Sequence, residues 1–106
     1  MLSSLLGASL CNPNKLFFGI VGDLAFFYDM NALGNRHLGK NVRILLVNNG
    51  KGCEFTHFMN PGHIFKEDVN PYIAAAGHFG NQSHTLVRDY ATNLGLKYLT
   101  ASNKEE

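Results

Sequence analysis

The sequence carries almost no excess of charge of either sign. Its 106 residues include nine Lys and Arg against eight Asp and Glu, which gives a formal net charge of +1. A nucleic-acid-binding domain carries a basic stripe, and a protein that binds membranes electrostatically carries a cluster of basic residues. The charge balance therefore argues against both nucleic acid and membrane as partners.

Long apolar runs and cysteines are also scarce. No stretch approaches the roughly 18 consecutive apolar residues of a transmembrane helix. Residues 1–10 do not read as a signal peptide, because no Lys or Arg precedes Lys15 and because serines and a glycine interrupt the apolar run. Two cysteines, Cys11 and Cys53, are too few for a disulfide framework. We expect two reduced thiols and a cytoplasmic protein.

Two continuous apolar runs are the clearest feature that is present. Residues 16–21 and residues 42–47, the latter broken only by the charge of Arg43, are bounded by turn residues and predict strands buried on both faces, as in a parallel sheet. Between them, Asp23 opens a helical pattern whose apolar residues share one face and which Gly39 can end. A strand, a helix and a second strand therefore follow one another.

Further elements extend this alternation on both sides. The leucine spacing in residues 1–10 predicts a helix. Asn70 and Pro71 predict the start of a short helix over residues 72–76. A longer helix follows Ser83 and ends at Gly95, and residues 98–100 predict a short strand.

The alternation of helices and strands predicts an α/β fold, a partial doubly wound parallel sheet with helices on both faces. A helix precedes the first strand, although such helices normally connect two strands. Ser102 and Glu105 fit a capping box, a pattern that predicts the start of another helix. We therefore expect residues 1–106 to form one domain that is truncated at both ends.

Polar residues follow both central strands where they end. Asp23 comes directly after the first strand, and Asn49 follows the second. Ligands of open α/β sheets bind beyond the carboxyl ends of the strands, so both residues should face one crevice. Carboxylate, amide and main-chain oxygens suit magnesium, and phosphate oxygens and water would complete its shell. Taken alone, Asp23 is more typical of a helix cap and Asn48-Asn49-Gly50 of a turn.

The spacing of these residues also resembles a known motif. Gly22-Asp23, followed by Asn48-Asn49, resembles the cofactor-binding motif of thiamine diphosphate-dependent enzymes. The stretch over residues 19–33 is most similar to the menaquinone-pathway succinyl-enolpyruvyl-hydroxycyclohexene-carboxylate synthases and related 2-oxo acid decarboxylases. Leu24 replaces the glycine of many relatives, as it does in that group. The resemblance implies a truncated thiamine diphosphate-binding fold that carries the diphosphate half of the site.

The resemblance also implies the residues that bind the cofactor and its metal. Magnesium would be held by Asp23, Asn49 and the main-chain carbonyl of Lys51. Main-chain N–H groups of Leu24 and Ala25 would contact the diphosphate. The full implied cofactor-binding set is Gly22, Asp23, Leu24, Ala25, Asn49, Lys51, Gly52 and Cys53.

The implied activity is that of a lyase or transferase that decarboxylates a 2-oxo acid or joins it to an acceptor. In the family, a Glu on a separate pyrimidine-binding domain activates the cofactor, so the resemblance implies no catalytic acid or base in this chain. It implies instead a partner domain, supplied by an upstream part or another chain, and a homo-oligomeric complete enzyme.

Other interpretations are open at the level of sequence. The chain also suits a small α/β module that binds a phosphate ligand or another chain without chemistry, or a flavodoxin-like nucleotide-binding domain. Cys53, His57 and His63 have spacings seen in zinc sites but lack a second close pair of ligands. Glu54 follows the predicted magnesium loop and reads as an exposed carboxylate.

Overall fold

A pair of parallel strands forms the centre of the structure, a computed structural model that describes residues 1–106. Strand β1 spans Phe17–Gly22 and strand β2 spans Val42–Val47. The register pairs Phe17 with Val42 and runs without a break to Gly22 with Val47. The predicted parallel pairing is confirmed, and only the bounds of the first strand move, by one residue.

Five helices and three 3₁₀ turns make up the other elements of the fold. Helix α1 spans Leu2–Cys11, α2 spans Asp23–Asp29, α3 spans Val69–Tyr72, α4 spans Phe79–Gln82 and α5 spans Leu86–Asn93; 3₁₀ turns span Met30–Gly34, Cys53–Thr56 and Pro61–Asp68. The α/β class is therefore confirmed. No helix has the length and apolar character needed to cross a membrane.

The helices cover one face of the sheet. Leu2, Val21, Phe26 and Leu33 form one buried cluster that joins α1, β1, α2 and the turn after α2. Gly19 lies where α1 crosses β1, and a Cβ atom there would come within 2.8 Å of the Leu5 side chain. The absence of a side chain at this position lets the helix approach the strand closely.

The opposite face of the sheet is open. Phe18 and Ile20 of β1 are 59% and 58% exposed, and Leu45 and Val47 of β2 are 49% and 43% exposed. The sequence-based prediction that both strands are buried on both faces is therefore wrong for this chain. Because side chains alternate along a strand, helices on one face bury only every second residue.

Asp29, the last residue of α2, joins that helix to the start of α1. Its carboxylate accepts hydrogen bonds from the amino group of Met1 at 2.8 Å, from the Ser3 N–H at 2.8 Å and from the Ser3 hydroxyl. These contacts hold the pKa of Asp29 well below its usual range, and the Met1 amino group contributes most to the lowering. The carboxylate thus satisfies the Ser3 N–H, one of the groups that the first turn of a helix leaves without partners.

Several predicted boundaries differ from the structure. The helix that begins at Asp23 ends at Asp29 and continues as a 3₁₀ turn only to Gly34, so Gly39 does not end it. The helix predicted over residues 72–76 lies earlier, at Val69–Tyr72, since Ala75 has a φ of +50° that no helix accommodates.

The C-terminal predictions are confirmed in part. Helix α5 follows the predicted start, and the Ser83 hydroxyl accepts a hydrogen bond from the Leu86 N–H at 3.2 Å. Gly95 follows it with a φ of +78°, the conformation that ends many helices. The predicted strand at residues 98–100 is wrong, because the sheet has two strands and neither pairs with this segment.

The core is small for a chain of this length. Only eight of 106 residues are buried, and the radius of gyration is 15.5 Å. A single compact domain of this size has a radius of about 13 Å. Stability must therefore come from a few apolar contacts and from specific hydrogen bonds, which gather at the carboxyl end of the sheet.

Candidate cofactor site at the carboxyl end of the sheet

Asp23 is the central residue of the candidate site. It follows β1 directly, opens α2 and is only 1% exposed. A buried carboxylate needs hydrogen-bond donors to offset the loss of water. Asp23 has three: Oδ1 accepts from its neighbour Leu24 N–H at 3.0 Å, and Oδ2 accepts from the Gly50 N–H at 2.7 Å and contacts His78 Nε2 at 2.9 Å.

The bond between Asp23 and Gly50 joins the two strand ends. Gly50 lies in the turn after β2, 27 residues along the chain from Asp23. Its φ of +86° suits glycine, and a Cβ atom there would come within 2.9 Å of the Asn81 side chain. Asp23 therefore meets the turn after β2 through Gly50, the residue next to Asn49, and the prediction that Asp23 and Asn49 face one crevice stays a prediction.

The loop after β2 presents the remaining predicted residues. The exposed Asn49 donates from Nδ2 to Cys53 Sγ at 3.2 Å, and the Lys51 carbonyl accepts from the Cys53 N–H at 3.0 Å. The Lys51 ammonium contacts Asn70 Oδ1 at 3.1 Å, so this side chain points to the following segment. Only its carbonyl is therefore a candidate ligand.

Gly52 brings the loop against the start of α2. Its N–H donates to the Ala74 carbonyl at 2.7 Å. A Cβ atom at Gly52 would come within 2.8 Å of the Phe55 ring and 3.2 Å of the Leu24 side chain. Gly52 and Leu24, predicted from different strand ends, are thus neighbours.

The two remaining predicted residues are exposed: Gly22 lies at the end of β1 and Ala25 in the first turn of α2. Nothing in the structure requires a glycine at residue 22.

The donor set fits a magnesium ion in its chemistry. A carboxylate has about four acceptor positions, of which the three contacts to Asp23 use three and leave one on Oδ1. Asn49 Oδ1 takes only a long contact of 3.5 Å from the Lys51 N–H, and the Lys51 carbonyl takes one hydrogen bond. Oxygen donors with spare acceptor positions are the ligands that magnesium prefers.

His78 is the functional candidate that the sequence analysis missed. It lies 55 residues from Asp23 in sequence, at the start of α4, in a stretch with no periodic pattern. Its ring packs edge-on against Phe27 of α2, with centroids 5.5 Å apart. A lone histidine beside Gly77 carries no spacing signal, so only the three-dimensional contact identifies it.

Two residues of the zinc alternative, Cys53 and His57, lie along one surface groove. Cys53, Glu54 and His57 line an open surface groove together with Met59 and Asn60. Glu54 is exposed, as predicted. No three His, Cys, Asp or Glu side chains converge as a metal-binding group.

The fold and the site together define the class of this chain. It is an α/β protein whose polar residues gather where parallel strands end, the place at which such sheets bind ligands. No family model matches the sequence, and no solved structure matches it.

Curated relatives supply the particular family. The chain is 57% identical over 105 residues to a 2-succinyl-5-enolpyruvyl-6-hydroxy-3-cyclohexene-1-carboxylate synthase of Bacteroides fragilis and 38% identical over 105 residues to the synthase of Phocaeicola vulgatus. Each match covers 99% of this chain and 17% of the relative. A synthase of the same name from Bacteroides thetaiotaomicron is 40% identical over 93 residues, 88% of this chain and 15% of that relative. The chain is homologous to one segment of these synthases, which confirms the resemblance noted in the sequence.

Proposed function

We propose that this chain is the part of a thiamine diphosphate-dependent enzyme that holds the cofactor's diphosphate and its magnesium ion. The observation that carries the proposal is the hydrogen bond of 2.7 Å between the buried Asp23 carboxylate and the Gly50 N–H. It joins the two strand ends that bear the motif, within a segment homologous to the synthases. A structural helix cap would not need a partner from the turn after the neighbouring strand.

Each residue of the motif has a part in this proposal. Asp23, Asn49 and the Lys51 carbonyl would hold magnesium, and the metal would neutralise diphosphate oxygens. Gly22, Leu24 and Ala25 would line the diphosphate at the start of α2, where main-chain N–H groups and the helix dipole favour anions. Gly52 and Cys53 would form the opposite wall of the same crevice.

The remaining chemistry lies beyond these residues. When bound, thiamine diphosphate supplies the electron sink for decarboxylation of a 2-oxo acid. We propose that a pyrimidine-binding domain, from a longer chain or a partner subunit, provides the acid–base Glu, and that the complete enzyme is a homo-oligomer. By homology, its product is the cyclohexene carboxylate named for the relatives. The two exposed, unpaired cysteines agree with a cytoplasmic setting.

Calorimetric titration tests the metal and cofactor assignment. The chain is titrated with thiamine diphosphate in the presence of magnesium, and circular dichroism checks that each variant is folded. Asp23→Ala should abolish binding because it removes the one buried carboxylate of the site. Asp68→Ala removes an exposed carboxylate outside the site and should bind as the unaltered chain does. Equal affinity in the folded Asp23→Ala variant would contradict the proposal.

A second experiment tests the need for a partner domain. The purified chain, mixed with thiamine diphosphate, magnesium and pyruvate or 2-oxoglutarate, should release no carbon dioxide above the cofactor-only control. Proton transfer and orientation each contribute about two or more powers of ten in rate, and both require the missing domain. Adding the rest of a homologous synthase should restore activity. Clear turnover by the chain alone would refute the assignment of the missing base.

A further inference from the structure

His78 is the one titratable side chain outside the motif that reaches the buried carboxylate. Its Nε2 atom lies 2.9 Å from Asp23 Oδ2, and its side chain is 15% exposed. The other Asp23 partners are the main-chain N–H groups of Leu24 and Gly50. His78 is therefore the only side chain that hydrogen-bonds to Asp23.

The hydrogen bonds of His78 determine its tautomer. Nδ1 accepts a hydrogen bond from the Asn81 N–H at 3.1 Å, an N–H that is shared with the His78 carbonyl at 3.0 Å. An imidazole nitrogen that accepts carries no hydrogen, so in the neutral ring the hydrogen lies on Nε2. The ring consequently donates from Nε2 to Asp23 Oδ2 and is satisfied at both nitrogens.

The main chain fixes the ring against the site. The Gly77 N–H donates to the Gly50 carbonyl at 3.1 Å, so the residue before His78 is bonded to the turn that also binds Asp23. The Phe27 ring packs against the imidazole, and a Cβ atom at Gly80 would come within 2.5 Å of the same ring. These contacts place the imidazole firmly over one edge of the carboxylate.

We infer that His78 is a positioning residue that orients Asp23 for the cation. By occupying the second acceptor position of Oδ2, it leaves Oδ1 as the one oxygen with a free position. A ligating carboxylate that is itself hydrogen-bonded is held in one orientation, and loss of such a partner costs about 10- to 100-fold in metal affinity. This inference rests on the proposed magnesium site and adds a residue that the motif does not include.

Magnesium titration of histidine variants tests the inference. His78→Ala removes the donor and should weaken magnesium binding to the chain at least about tenfold. His78→Gln places an amide N–H close to the position of Nε2 and should restore affinity to within about threefold, since it keeps the hydrogen bond. His84→Ala, at an exposed histidine on the same segment, should bind magnesium as the unaltered chain does.

A shorter side chain separates positioning from simple packing. His78→Asn keeps a polar amide but cannot extend to Asp23 Oδ2, so it should bind magnesium as weakly as His78→Ala. His78→Ala and His78→Asn could both unfold while His78→Gln remains folded and binds magnesium normally. That result would still show that a hydrogen-bond donor to Asp23 is needed at residue 78. Equal magnesium affinity in folded His78→Ala and His84→Ala chains would overturn the inference.

Nitrogen-15 spectra of the histidine side chains provide a readout that is independent of metal. Without magnesium, the neutral form of the His78 ring should show the hydrogen on Nε2. A spectrum with the hydrogen on Nδ1 would overturn the inference. If Asp23→Ala leaves magnesium binding unchanged, the proposed function fails, whereas loss of binding in Asp23→Ala but not in His78→Ala overturns only the positioning role.

Discussion

The sheet with its helices and the loop segment that follows are stabilised by different forces. In residues 1–47, four apolar side chains form the main buried cluster, Leu2, Val21, Phe26 and Leu33. In residues 48–82, only Val69 and Ala74 are buried.

The loop segment is held instead by hydrogen bonds that converge on the carboxyl end of the sheet. Gly52 bonds to Ala74, Gly77 bonds to Gly50, and the Asn81 amide donates to Asn48 at 3.0 Å. Apolar burial is tolerant of detail, whereas each of these bonds depends on two specific atoms. We conclude that apolar burial in the first region stabilises the fold, whereas hydrogen bonds in the second region fix the geometry of the site.

The largest expected effect comes from truncating the core of the first region. Phe26 is 3% exposed, and Phe26→Ala should lower the free energy of unfolding by about 3 to 5 kcal/mol, enough to unfold a chain with so small a core. Phe58→Ala makes the same chemical change at a loop residue that is 72% exposed and should cost within about 0.5 kcal/mol. Urea denaturation followed by circular dichroism measures both. Equal losses of unfolding free energy in the two variants would contradict the distinction between the two regions.

A smaller effect is expected where the loop segment packs on α2. Gly80→Ala places a methyl group within 2.5 Å of the Phe27 ring and should cost about 1 to 3 kcal/mol. Gly7→Ala, inside α1 with nothing within 4 Å, should instead stabilise by about 0.5 to 1 kcal/mol. Thermal unfolding should therefore show a lower midpoint temperature for Gly80→Ala and a higher one for Gly7→Ala.

Hydrogen exchange of the Gly80→Ala chain sharpens the comparison. Amides of residues 74–82 should lose protection while those of β1 and β2 keep theirs, because the sheet does not depend on the loop segment for its core. Equal loss of protection in both places would mean that the two regions unfold as one unit.

A pH titration probes the polar contact within the first region. Because the pKa of Asp29 is lowered in the folded chain by the Met1 amino group and by Ser3, its stabilising contribution is complete at neutral pH. That contribution is lost as the pH falls below about 4, where the unfolded carboxyl takes up a proton. The stability difference between the unaltered chain and Asp29→Asn should therefore shrink in acid. A difference that stays constant from pH 7 to pH 3 would contradict this.

The smallest effect on stability is expected on the open face of the sheet. Ile20→Lys and Leu45→Lys change exposed residues and should alter the free energy of unfolding by less than about 1 kcal/mol. We expect the exposed apolar sheet face to favour self-association of the chain, and both substitutions should reduce it. Sedimentation velocity compares them with Val21→Lys, which alters the covered face and should unfold the chain. Unchanged association in the open-face variants would show that another surface is responsible.

Sequence patterns predict the first region well because its physics is local and periodic. The apolar run at residues 42–47 became a strand with those bounds, and the spacing from Asp23 to Asn49 placed the two strand ends together. The same patterns did not show that one sheet face is open, since a continuous apolar run looks the same whether one side or both are covered.

The second region escaped prediction because its contacts are neither local nor periodic. His78 reaches Asp23 across 55 residues through a single hydrogen bond. Beyond this region, residues 98–100 contain strand-forming side chains, yet a strand exists only where a neighbour pairs with it, and pairing is not encoded in a short stretch. The proposed ligand roles of Asn49 and Lys51 remain predictions.

The constant register of the two strands has a consequence for how the molecule folds. Every paired position is separated by 25 residues of chain, so no local hairpin can nucleate the sheet. Closing such a loop costs about 3 kcal/mol of chain entropy before the first rung forms. Parallel pairing of this kind is intrinsically slow. The side-chain contact between Asp23 and the Gly50 N–H lies just beyond the last rung of this ladder. The groups of the proposed cofactor site should therefore assemble late in folding, after the strands have paired up to their carboxyl ends.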